Sequence, residues 1–144
     1  MDAEIKSRFT SAGLEVVARY TGVDGPSVEE AFHRIVHIDA TPVQRMQKRG
    51  PDAAHQVDDA WKTCAHEGGV VADDGAFLAA GSMSYGWVHV RLTPAANISA
   101  LADRGGELLF IARSLSGHRV CAASTEGAEY WILEADFPEQ GCQE

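Results

Sequence analysis

The residues best placed to do chemistry lie in one extended run. Tyr85, Trp87, His89 and Arg91 alternate with Val88, Val90 and Leu92, so in a β-strand the first set shares one face and the second set the other. Aromatic rings beside an imidazole and a guanidinium suit a pocket, with the His as general base or metal ligand and the Arg as an anion clamp. His37 stands in a similar string: Val36-His37-Ile38-Asp39-Ala40-Thr41-Pro42 is echoed by Val88-His89-Val90-Arg91-Leu92-Thr93-Pro94. A duplicated strand-to-helix unit would produce that echo; so would coincidence plus shared capping chemistry. Gly86 supports a plainer reading, because strand glycine commonly marks a bulge. A bulge there turns Trp87 into core and leaves His89 an ordinary surface residue.

Other constellations fit surface roles better than chemistry. Glu29, His33 and His37 are four apart, but the Glu that a zincin-type helix needs beside its first His is replaced by Arg34. His55 with Asp59 and Asp58 with Lys62 are helical i, i+4 pairs, and His66 lies on the same helix. Cys64 falls on an apolar stripe, Cys121 falls mid-strand and Cys142 lies in the tail; none is spaced for zinc or placed beside a base. No phosphate-binding glycine loop or nucleophile elbow is present. The doubled His37-Ile38-Asp39 and His89-Val90-Arg91 resemble the paired motifs of 2H phosphoesterases, with Asp39 and Arg91 standing where that family has hydroxyls. The run from Trp87 to Glu134 is similar to half of a vicinal-oxygen-chelate protein, in which His89 would ligate metal; Trp131 occupies the expected Glu position. Neither motif is intact, so catalytic residues stay unassigned, and no metal or cofactor is expected.

The elements that must hold these residues follow from periodicity and punctuation. A short helix ends near Gly13, and a strand covers 14–20. Ser27 followed by Glu30 is a capping box that starts a helix over 27–36. Thr41-Pro42 reads as a third helix start with Gly50 as its stop, and Pro51 begins a fourth helix carrying Ala54, Val57, Trp61 and Cys64. After Gly68-Gly69 the period changes to two. Val70-Val71 and Ala76-Phe77-Leu78 flank Asp74-Gly75 as a hairpin, and strands are expected over 84–92, 108–115, 119–125 and 129–135. A short helix with Ile98 and Leu101 interrupts them. The predicted fold is a single α+β domain over 1–144, its helices concentrated in the N-terminal half and packed on a C-terminal antiparallel sheet, curved if it encloses a pocket. Residues 137–144 are expected to form an acidic, fraying tail.

The last three strands, with turns at Ser116-Gly117 and Glu126-Gly127, put Leu109, Ile111, Arg113, Val120, Ala122, Trp131 and Leu133 on one face. Leu108, Phe110, Ala112, Arg119, Cys121, Tyr130, Ile132 and Glu134 fall on the other. Both faces are apolar, so something must cover each: a second layer, a curled sheet around a pocket, or a homodimer partner. The same register sets Arg119 opposite Glu134.

Charge narrows the function. The 144 residues carry 12 Lys+Arg against 21 Asp+Glu, a net charge of -9, which disfavours nucleic acid. Glu126, Glu129, Glu134, Asp136, Glu139 and Glu144 follow one another with no intervening Lys or Arg. No stretch suits a membrane span or a signal peptide, and three widely spaced cysteines suit a reducing cytoplasm. These features favour an acidic cytoplasmic binding protein, of the inhibitor or immunity type, masking a basic protein partner through Glu126, Glu129, Glu134, Asp136 and Glu139. The alternative is a small-molecule-binding domain or enzyme with its pocket at Tyr85, Trp87, His89, Arg91 and His37.

Overall fold

Asp2 opens the first helix by accepting from the Glu4 and Ile5 amides, and α1 (Ala3–Ser11) follows. The computed structural model describes residues 2–22, 25–36, 41–82, 85–103 and 105–137. After α1 come β1 (Glu15–Arg19), α2 (Val28–Ile35), β2 (Gln44–Gln47), α3 (Ala53–Glu67), β3 (Ala76–Ser82), β4 (Gly86–Arg91), a 3-10 turn (Ile98–Leu101), β5 (Leu109–Arg113), β6 (Arg119–Glu126) and β7 (Glu129–Asp136). The capping box at α2 is complete: Ser27 Oγ accepts from the Glu30 amide at 3.1 Å, and Glu30 Oε1 accepts from the Ser27 amide at 2.8 Å. Gly13 ends α1 with φ +83°, and a Cβ there would collide with the Ala95 backbone, so the turn needs glycine twice over.

The strands form one seven-stranded sheet in the order β1-β4-β3-β5-β6-β7-β2, with every neighbouring pair antiparallel. The fold is α+β, as expected. Two local expectations are overturned. The segment after Thr41-Pro42 is an edge strand and not a helix, because Met46, across from Tyr130, buries itself in the sheet face when β2 pairs with β7. Val70 and Val71 do not form a hairpin arm. Their amides both go to Ala65 O at the end of α3, and only the β3 side of the Asp74-Gly75 turn enters the sheet.

The sheet is covered on both faces. On the first, α1, α3 and the 3-10 turn bring Phe9, Val57, Trp61, Cys64 and Ile98 onto Phe77, Val88, Val90, Phe110, Cys121 and Ile132. On the second, Val28, Ala31 and Ile35 of α2 pack on Leu78, Trp87, Ile111, Val120 and Leu133. The inferred facing of the last three strands holds, and Phe110, Tyr130 and Ile132 are all buried. One turn sits a residue later than expected: Glu126 pairs with Glu129, so Arg119 lies opposite Asp136 and reaches Glu134 diagonally. Moving that turn by one residue changes the pairing by two, which preserves the faces.

The two coverings are unequal. Seven strands span roughly 29 Å at about 4.8 Å per gap. The eight residues of α2 are about 12 Å long. The second face is therefore covered in its middle and thin toward its ends. Leu109, the first residue of the central strand β5, is nevertheless 51% exposed, and Val36, just past α2, is 45% exposed.

Candidate functional site

The alternation expected along β4 breaks at Gly86, which has φ +92°. Ser82 pairs with Gly86 but Ala80 with Trp87, so Gly81 is an extra residue in the ladder. Tyr85 consequently packs with the α1 side, its hydroxyl accepting from the Asp2 amide and its ring lying under Arg19. Trp87 lies in the second-face core, 4% exposed. His89 and Arg91 follow on that same face. His89 Nε2 is buried and has no hydrogen-bond partner among the described residues. Among the described residues Arg91 makes long ion pairs, 3.8 Å to Glu15 and 3.9 Å to Asp74. Trp87, His89 and Arg91 thus share a face and Tyr85 leaves it, while His37 lies outside the described residues.

A cavity of about 370 Å3 does lie beside Trp87, lined by Tyr20, Pro26, Ser27, Glu30 and Arg113 among others, but not by His89 or Arg91. Its notable member is Arg113, which is 1% exposed. The guanidinium donates to Ser114 O at 3.1 Å, Pro26 O at 3.0 Å and Leu115 O at 3.3 Å, and it lies over the Tyr20 and Trp87 rings. Trp87 Nε1 donates to the same Pro26 carbonyl at 2.9 Å. This arrangement ties the β5–β6 hairpin to the loop before α2. In the sequence its signal is a lone charge ending the apolar run Leu108-Leu109-Phe110-Ile111-Ala112.

The acidic residues do not form one surface. Glu134 and Asp136 point to the first face and are held by Arg119 at 3.7 and 3.0 Å. Glu126 and Glu129 lie at the other end of β7, roughly 20 Å away along the strand. Glu139 lies outside the described residues. At the Glu126 end, sequence reasoning missed two companions. A cleft of about 340 Å3 is lined by Phe32, Val36, Leu108 and Leu109, with Asp103, Glu107 and Glu126 at its rim. Glu126 and Glu129 are directly opposed across the hairpin, a like-charge pairing that costs stability. Lys48 pairs with Glu107 at 2.7 Å from the far side. Asp103 Oδ1 accepts from the Gly105 and Glu107 amides. Glu129 accepts from Gln47 Nε2 and Trp131 Nε1. The cleft therefore has an apolar floor and a rim of carboxylates with one cation among them.

The structure also brings together Cys64 and Cys121, with sulfurs 3.2 Å apart. The contact spans 57 residues of chain, so no local spacing announces it. Burial beside Cys64 pushes the Cys121 thiol well above the ordinary thiol range: the hydrogen bond to Cys64 is the largest cause and desolvation the next. Among the described residues no group of three or more His, Cys, Asp or Glu converges as a metal site, and no helix is long and apolar enough to cross a membrane.

Comparison with protein-family models, curated proteins and solved structures finds no significant match to this chain.

Proposed function

We propose that this is a binding protein that receives a basic, partly apolar segment of another protein in the cleft beside Leu109. One observation carries the reading: exposed Leu109 and Val36 adjoin a rim of Asp103, Glu107 and Glu126, with Glu126 set against Glu129. An apolar anchor that excludes water, surrounded by charge predominantly of one sign, combines affinity with electrostatic steering. A Lys or Arg placed between Glu126 and Glu129 would relieve their repulsion, so the unbound protein holds a cost that the partner removes. A second copy of the chain is a poorer occupant, since it would bring the same carboxylates against this rim. The reading keeps the masking of a basic partner but moves its surface to Asp103, Glu107, Glu126 and Glu129, leaving Glu134 and Asp136 as a structural pair with Arg119. We place that encounter in the cytoplasm, where Cys64 and Cys121 would rest as free thiols in the absence of an oxidant.

The test is titration with a synthetic peptide alternating Lys and Leu, at low and high salt. Binding should weaken as salt rises. Asp103→Asn with Glu126→Gln should weaken it roughly tenfold or more and flatten the salt dependence. Leu109→Asp should weaken it without flattening that dependence. Equal binding by all three proteins would refute the assignment.

A second reading, small-molecule binding, rests on the cavity beside Trp87. Its volume lies within the usual ligand range, and Tyr20 and Trp87 offer aromatic walls. Arg113, however, spends three donated hydrogen bonds on backbone carbonyls. That makes it a poorer anion clamp than Arg91 was expected to be.

A further inference from the structure

We propose that Cys64 and Cys121 form an oxidation site, closing to an intramolecular disulfide that fastens α3 to β6 when a peroxide-class oxidant is present. The two sulfurs are already in contact at 3.2 Å, so an approach of roughly 1.2 Å would reach disulfide bond length. They sit in the first-face core beside Trp61, whose indole N–H donates to Cys121 O at 3.3 Å, so helix and strand are held in register. Cys121 is fully buried, whereas Cys64, at 9% exposure, keeps the pair's remaining access to solvent. Cys121 donates its S–H toward Cys64.

Hydrogen peroxide supplies the two oxidising equivalents. The Cys64 sulfur attacks one peroxide oxygen, the O–O bond breaks, and Cys64 sulfenic acid and one water result. The Cys121 sulfur then attacks the sulfenic sulfur, the S–O bond breaks, and the oxygen leaves as a second water carrying the Cys121 proton. Two thiols have lost two electrons, and one peroxide has become two waters. Because the bond joins residues 57 apart, it removes freedom from the unfolded chain and raises resistance to unfolding.

The experiment uses the full chain carrying Cys142→Ser, so that the pair holds the only thiols. After dilute hydrogen peroxide and quenching, the protein is denatured and alkylated. The expected product is a monomer lighter by two hydrogens that takes up no alkylating agent, reverts with reductant, and melts at a higher temperature when oxidised. Adding Cys121→Ser should leave a sulfenic acid on Cys64 that dimedone traps. Adding Cys64→Ser should leave Cys121 unmodified over the same period. Full alkylation of both thiols after oxidation, a cross-linked dimer in place of the monomer, or dimedone labelling of Cys121 in preference to Cys64 would overturn the proposal.

Discussion

Arg113→Met is expected to lose about 3–5 kcal/mol of folding stability, most of what a domain of this size has to spare. The guanidinium is buried and donates to three backbone carbonyls drawn from two separate loops. Hydrogen bonds from a charged donor contribute about 1.5–3 kcal/mol each, and a buried carbonyl left unpaired costs about 1–3 kcal/mol. Pro26 O keeps one donor, Trp87 Nε1, and Leu115 lies at the exposed hairpin end, so water would recover part of the loss. Methionine restores the volume between Tyr20 and Trp87 and none of the donors. Arg113→Lys should cost less, about 2–3 kcal/mol, because an ammonium keeps the charge but not the planar fork that reaches separate carbonyls. Urea unfolding followed by tryptophan fluorescence measures both, with an unchanged m-value expected. A loss under about 1 kcal/mol for Arg113→Met would mean that the loops hold without it, and the cavity reading would regain its anion clamp.

The second large effect is expected at Trp61. It is fully buried and lies edge-on to Phe110 at 5.1 Å and tilted to Phe77 at 5.5 Å, while Phe9 meets Phe110 at 6.5 Å. α3 rests on the sheet largely through this ring cluster. Trp61→Ala should cost about 3–5 kcal/mol, through lost burial and an unfilled cavity. It also removes the donor to Cys121 O. Trp61→Phe keeps most of the packing and should cost about 1–2 kcal/mol. Calorimetry or urea unfolding of the two variants gives the comparison. Equal losses would place the energy in the N–H bond and not in the rings.

What was legible in the sequence was local. The faces of β5, β6 and β7 followed from alternation and two glycine turns, and they survived a misplaced turn because the error was even. The capping box at Ser27 and Glu30 states its own hydrogen bonds. What was not legible depended on distant chain. β2 carries the start signal of a helix in Thr41-Pro42, but pairing with β7 overrides it. The break in alternation at Gly86 took Tyr85 off the face of Trp87, so only part of the expected pocket formed. The candidate cleft draws Phe32 and Val36 from the end of α2, Asp103 and Glu107 from the approach to β5, and Glu126 from the end of β6. No spacing rule joins those segments. Cys64 with Cys121, and Arg113 with Pro26, are likewise products of the topology.

The central claim is that the acidic, apolar cleft beside Leu109 is where this protein meets its partner. Amide chemical-shift mapping of the isotope-labelled chain during titration with the Lys/Leu peptide tests it most directly. The account predicts salt-sensitive shifts concentrated at Phe32, Val36, Asp103, Glu107, Leu109 and Glu126, with little change at Glu134 and Asp136. Shifts centred on Tyr20, Trp87 and Arg113, or on the Arg119 end of β7, would contradict it.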